Sequence, residues 1–246
     1  LKIKGERKMA KYRRILLKIS GEALQSKASH EIYDKNVLAG VVKLVKAVRE
    51  MDIQVALVVG GGNIWRGKLA PEIGLDKPTG DYMGMLATVM NALALQGSFM
   101  ASGLKAKVFS ALPITNCVEP YTRRHALEAL EEGNIVVFAG GVGSPFFTTD
   151  TGAALRAREM GVDAILMGKN GVDGVFDADP RTNPGAKLIR HMTYQEMLEK
   201  NLQVMDATAV GLLEDSDIAI RVFNMADPEN AIRILKGEDI GTTVKK

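Results

Sequence analysis

The residues most suited to chemistry are a few charged side chains placed at the ends of apolar runs. Lys18 lies in Leu16-Leu17-Lys18-Ile19-Ser20-Gly21. There an ammonium either snorkels to water or faces the Ser-Gly turn. Facing the turn, it would neutralise charge on a transferred phosphoryl group, which is how phosphoryl transfer is mainly catalysed. Arg66 follows Gly60-Gly61-Gly62 within four residues. Its planar guanidinium suits bidentate phosphate binding, the alternative being an ordinary surface arginine. Lys169 closes another apolar run and precedes Asn170, while Asp173, Asp177 and Asp179 decorate a segment rich in turn formers, where Asx turns are their plainest use. Asp150 follows Thr148-Thr149 at an expected helix start, so capping competes with orienting the lysines or an acceptor oxygen. Asp81, ahead of Met83-Gly84-Met85, and Asp206 read as helix N-caps, Asp206 with indirect support of a site as its alternative.

Four runs end in small or polar residues: at Ser20-Gly21, Gly60 to Asn63, Gly140 to Ser144, and Gly168 to Gly171. In open α/β sheets ligands bind at such carboxyl ends, where glycine allows close backbone approach and free amides can meet phosphate. Two familiar phosphate loops fail here. A dinucleotide fingerprint from Gly60 and Gly62 meets Trp65 in place of its third glycine, and the next run ends in Phe109-Ser110 without a ribose-binding acid. From Gly62 to Lys68 the spacing fits a Walker A loop, but Leu69 stands where a magnesium-holding Ser or Thr is needed.

The elements that must position these residues are legible from periodicity. Continuous apolar runs predict buried parallel strands over about 14 to 19, 54 to 59, 106 to 110, 134 to 139, 163 to 167 and 218 to 223. Apolar residues three and four apart predict helices over about 34 to 51, 82 to 103, 122 to 132, 150 to 160, 194 to 200, 206 to 214 and 228 to 236. This alternation predicts an α/β fold with helices on both faces of a mainly parallel sheet. Residues 168 to 190 read as turns or a small hairpin. At 246 residues the expectation is one domain from about 11 to 246, divided near 150 into two lobes without a flexible tether, preceded by a polar leader or tag over 1 to 10.

Composition narrows the function. The chain has 32 basic and 29 acidic residues, and part of that excess crowds its first residues, which argues against a nucleic-acid-binding surface. The lone Cys117 cannot form an intramolecular disulfide or a cysteine metal cage, and His30, His125 and His191 lack metal-ligand spacing, so no protein metal site is expected. No apolar run approaches the ~18 residues of a membrane span, so a cytoplasmic protein is expected. Met83, Met85 and Met90 read as filling for a helix interface, and Trp65 as packing.

Taken together, Lys18 to Leu24, Gly60 to Gly67, Asp81 to Asn91, Ser144 to Asp150 and Val172 to Pro180 closely resemble bacterial uridylate kinase, within the amino acid kinase superfamily, in motif order over roughly residues 11 to 244. The resemblance implies a three-layer αβα sandwich, with the acceptor on the N-terminal side and ATP on the C-terminal side. It implies transfer from Mg-ATP to UMP in pyrimidine nucleotide synthesis, a Mg2+ cofactor, a homohexamer, and GTP and UTP as effectors. Carried over by motif, Lys18, Ile19, Ser20, Gly21, Gly62, Arg66, Asn170, Phe176 and Asp179 would contact ATP. Gly61, Asp81 and the run Val142, Gly143, Ser144, Pro145, Phe146, Phe147, Thr148 and Thr149 would hold UMP, Asp81 at the ribose rather than as a cap. Lys18, Arg66, Asp150 and Lys169 would carry the catalysis. Gln96 and Met100 stand where some members carry basic effector-site residues, Val142 replaces a common threonine, and Ser26 to Tyr33 lacks the usual Gly-rich stretch. A kinase of another small acceptor and a nucleotide sensor without turnover are the alternatives.

Overall fold

The computed structural model describes residues 12–26, 31–169, 171–180, 182–200, 202 and 204–246. The expected leader, His30 and Asn170 lie outside the described residues. In chain order the elements are β1 (Arg14–Ile19), α1 (Lys35–Glu50), β2 (Gln54–Val59), α2 (Lys77–Ala101), β3 (Ala106–Ser110), β4 (Glu119–Pro120), α3 (Arg123–Glu131), β5 (Ile135–Ala139), α4 (Thr149–Met160), β6 (Ala164–Lys169), β7 (Val175–Phe176), β8 (Leu188–Ile189), β9 (His191–Thr193), α5 (Tyr194–Glu199), α6 (Ala207–Leu213), β10 (Ala219–Asn224), α7 (Glu229–Leu235) and β11 (Thr242–Lys245). A 3-10 turn, Gly21–Leu24, follows β1, and two more, Gly67–Leu69 and Pro71–Ile73, precede α2.

Among the described residues nine strands form one sheet in the order β4-β3-β5-β2-β1-β6-β10-β11-β9, and β7 and β8 pair separately as an antiparallel hairpin. Every pairing in the large sheet is parallel except β10 with β11. The six predicted strands and the hairpin between residues 168 and 190 are present. The short β4, β9 and β11 extend the sheet beyond what periodicity could reveal, since two to four residues carry no period of their own.

Side-chain alternation explains the layers. Ile15, Leu17 and Ile19 of β1 enter a core with Val41, Leu44, Val45 and Val48 of α1, Val89, Ala92, Leu95 and Phe99 of α2, and Ile234 and Leu235 of α7. Leu16 enters the opposite core with Ala126 and Leu130 of α3, Ala153, Ala154 and Ala157 of α4, and Val210 and Leu213 of α6. Strand period two therefore places Lys18 on the face of Leu16, under α4. This is the αβα sandwich expected.

Helix α2 begins earlier than predicted. Asp76 is its N-cap, accepting from the Thr79 amide at 2.9 Å, and Pro78 sits in the first turn where its missing N–H is harmless. Asp81 therefore lies one turn inside the helix and caps nothing, which corrects the capping preference. By length and composition α2 could also cross a membrane, a correction to the expectation that no segment approaches that size; 44% of its most apolar window is buried in the fold. Met85 packs inside, whereas Met90 is 50% exposed, so the three methionines do not form one buried interface.

Candidate active site

The parallel neighbours β5, β2, β1 and β6 end at one edge of the sheet, so the four glycine-rich turns lie side by side there. The turns interlock. Gly60 N–H donates to the Ile19 carbonyl at 3.0 Å, and a Cβ on Gly21 would stand 2.7 Å from both the Gly62 nitrogen and the Asn63 side-chain oxygen. A Cβ on Gly61 would come within 2.8 Å of the Gly84 carbonyl of α2. Glycine at these two positions is what allows the first two turns and α2 to touch.

Lys18 Nζ meets Asp150 Oδ1 at 2.7 Å, with side chains only 16% and 22% exposed. Asp150 is held in the first turn of α4, whose N-cap is Thr148: its hydroxyl accepts from the Asp150 and Thr151 amides at 3.0 and 3.1 Å. Capping thus falls to Thr148 and leaves the Asp150 carboxylate for the lysine. Lys169, half-buried at the end of β6, sends its ammonium toward the Val204 carbonyl at 3.5 Å. Burial lowers its pKa, the Lys18 charge lowers it further, and Asp150 opposes both. Two ammoniums and one carboxylate therefore share this edge, an arrangement with positive charge to spare for an anionic ligand. Arg66 stands nearby, its Nη2 3.0 Å from Glu22 Oε1 and its Nε 3.4 Å from the Gly62 carbonyl.

An open cleft of about 330 Å³ lies between α2 and the turns after β2 and β5. Of the residues expected at an acceptor, Gly61, Asp81, Val142, Ser144, Phe146, Phe147, Thr148 and Thr149 line it, while Gly143 and Pro145 complete the same turn. Asp81 Oδ2 accepts from the Phe146 amide at 2.8 Å, so the helix grips that turn directly. Gly62, expected at ATP, lines the cleft too, next to Ser20 and Gly21 across the interlocked turns. Ile19 turns its side chain into the α1-side core, so only its backbone reaches the edge. Phe176 and Asp179 sit on β7 and in the turn after it and do not line this cleft among the described residues.

Several residues that shape the site escaped the sequence reading. Thr88 Oγ1 accepts from the Gly140 amide at 2.8 Å. Asn91, fully buried, donates to the Gly60 carbonyl at 2.7 Å and to Asn63 Oδ1 at 2.8 Å, and accepts from Asn63 Nδ2 at 3.1 Å. The one available signal was a threonine and an asparagine three apart on an apolar helix face, which core packing alone does not explain. Trp65 lines the cleft and donates to the Gly80 carbonyl at 2.7 Å, so it does more than pack. Asp206 caps α6 as expected, accepting from Ala209 N at 3.0 Å, and also receives the hydroxyls of Thr148 and Thr151. Burial pushes its carboxyl up, but hydrogen bonds from Thr148, Ala209, Thr151 and Thr208 outweigh that and hold it below the usual range.

A mainly parallel sheet carrying a lysine-aspartate-lysine cluster at its carboxyl edge, beside interlocked glycine turns and an acceptor-sized cleft, defines an α/β phosphotransferase. The chain belongs to the amino acid kinase family, whose model matches residues 13–224. A uridylate kinase of Limosilactobacillus reuteri is 48% identical over 235 residues, covering 96% of this chain and 98% of its own. The UMP kinase of Bacillus anthracis superposes with a TM-score of 0.92 at 39% identity, over 95% of this chain and 96% of that one. The UMP kinase of Ureaplasma parvum does so at 0.90 and 38%, over 95% and 99%. The resemblance drawn from the motifs is thereby borne out.

Proposed function

We propose that the chain transfers the γ-phosphate of ATP to UMP, giving ADP and UDP on the way to CTP. The observation that carries the reading is the 2.7 Å Lys18–Asp150 pair at the sheet edge, adjoining the cleft through Thr148 and Thr149. The near full-length likeness to proteins described as uridylate and UMP kinases supports the choice of acceptor.

In this reading a phosphate oxygen of UMP attacks the γ-phosphorus in line, and the bond to the β–γ bridging oxygen breaks, leaving ADP. Lys18 and Lys169 counter the charge that spreads over the transferred group, Asp150 fixes the Lys18 ammonium, and Arg66 takes phosphate oxygens. Asp81 and the turn from Val142 to Thr149 hold the acceptor. Lys18 to Gly21, Gly62, Arg66, Asn170, Phe176 and Asp179 hold ATP. Asp150 is engaged by Lys18, so in this reading the magnesium is carried on the nucleotide rather than by the protein. Held by the phosphate oxygens of ATP, Mg2+ would add charge neutralisation to that of the lysines.

A cytoplasmic homohexamer responsive to GTP and UTP completes the reading. Its assembly is supported by the exposed apolar side chains Tyr82, Leu86, Met90 and Met100 along α2. The test is ADP release from Mg-ATP with a panel of acceptors, with and without GTP. UMP should be the preferred acceptor; equal turnover with CMP would overturn the specificity.

A further inference from the structure

The first turn of α2 holds a residue that helix energetics argue against. Lys77 occupies the first helical position, where the macrodipole disfavours a cation, and the neighbouring carboxylate of the N-cap, Asp76, offsets part of that cost while it is engaged by the Thr79 amide. It also precedes its acidic partner Asp81 by four residues, the weaker orientation of such a pair. A lysine here is not explained by the stability of the helix.

Its contacts give it a different use. Lys77 Nζ lies 3.0 Å from both carboxylate oxygens of Asp81 and 5.7 Å from the centre of the Phe146 ring, and it lines the cleft. Asp81 in turn accepts the Phe146 amide, and Phe146 has φ +74°, a left-handed conformation that a phenylalanine rarely adopts. The residue is 67% exposed, so burial does not hold it there. The strained residue is held instead by the carboxylate on its amide and the ammonium near its ring.

We infer that Lys77 is a positioning residue for the acceptor: it fixes the Asp81 carboxylate and, through it and the ring of Phe146, sets the turn that closes the cleft. The inference rests on the reading of that cleft as the acceptor site for UMP. Because Lys77 acts on the resting geometry of the cleft and not on the transferred group, its loss weakens acceptor binding and leaves turnover at saturation unchanged.

The experiment compares Lys77→Met, Lys77→Arg and, as a control for net charge, Lys68→Ala, an exposed lysine outside the cleft. Lys77→Met should raise KM for UMP about threefold, the scale of one part-exposed ion pair, with kcat and KM for ATP unchanged. Lys77→Arg should restore most of the loss, and Lys68→Ala should behave as wild type. A second measurement does not depend on the acceptor. Amide hydrogen exchange on the ligand-free protein should show the Phe146 amide losing protection in Lys77→Met and regaining it in Lys77→Arg. Unchanged Phe146 protection, or a fall in kcat without a change in KM for UMP, would overturn the inference. Failure of the wild type to use UMP while the exchange result holds would overturn only the choice of acceptor.

Discussion

Lys18 and Lys169 are both lysines at strand ends, yet their surroundings give them different duties. Lys18 has a carboxylate at 2.7 Å and stands near the end of β1, just ahead of the first glycine turn. Lys18→Ala should lower kcat about a hundredfold or more, the cost of removing one preorganised charge donor. UMP binding, followed by the fluorescence of the sole tryptophan, Trp65, in the cleft wall, should survive. Normal turnover in that variant would remove Lys18 from the mechanism. Lys169 is set apart by burial, which lowers its pKa, assisted by the charge of Lys18. The unfolded chain therefore binds that proton more tightly than the folded one. Stability from this site is complete above the ordinary lysine pKa and is lost as pH falls through the lowered folded value. Denaturant unfolding across alkaline pH should show wild-type stability rising in that window, and Lys169→Met should lack the rise. In the proposed mechanism transfer needs the ammonium, so the basic limb of the rate profile should lie below the ordinary lysine range, and Lys169→Arg should move it upward.

Among the elements, α2 organises the cleft. From one helix Asp81 grips the turn after β5, Thr88 holds the amide of Gly140, and Asn91 with Asn63 braces the turn after β2. Buried polar groups of this kind are costly unless each finds its partner, so the helix can sit against these turns in one register only. The start of α4 is braced from the other half of the chain, where Asp206 takes the hydroxyls of Thr148 and Thr151 while capping α6. Asp206→Ala removes the cap and leaves both hydroxyls without their acceptor, and should cost about 1–2 kcal/mol in denaturant unfolding. Asp206→Asn retains the cap and should cost less. Both should lower turnover, because the turn that places Asp150 loses its outside support; full activity in the alanine variant would show that Thr148 needs no such brace.

At the scale of the whole molecule the proposed hexamer is open to direct measurement. Tyr82, Leu86, Met90 and Met100 form an exposed apolar row on α2, whereas its other apolar residues, such as Val89, Leu95 and Phe99, are buried in the core. Sedimentation equilibrium should give a single species of six chains. Leu86→Asp combined with Met90→Asp should yield smaller species with the fold intact by circular dichroism. Unchanged mass in the double variant would place the interface elsewhere.

The sequence alone determined the layers and the edge of the sheet at which the glycine turns and lysines gather. Long buried strands and amphipathic helices carry their own periodicity, and a lysine or glycine at the end of an apolar run is visible without coordinates. It did not determine which acid serves which purpose. Asp81, Asp150 and Asp206 all resemble helix caps by local pattern, yet Asp206 alone of the three is one, because true caps at Asp76 and Thr148 stand close by. Pairings such as Lys18 with Asp150, or Thr148 with Asp206, join residues more than fifty positions apart, and only the order of strands and the packing of α4 against α6 bring them together. The edge strands β4, β9 and β11 were likewise a tertiary decision, since segments so short acquire strand geometry from the neighbour that supplies their hydrogen bonds.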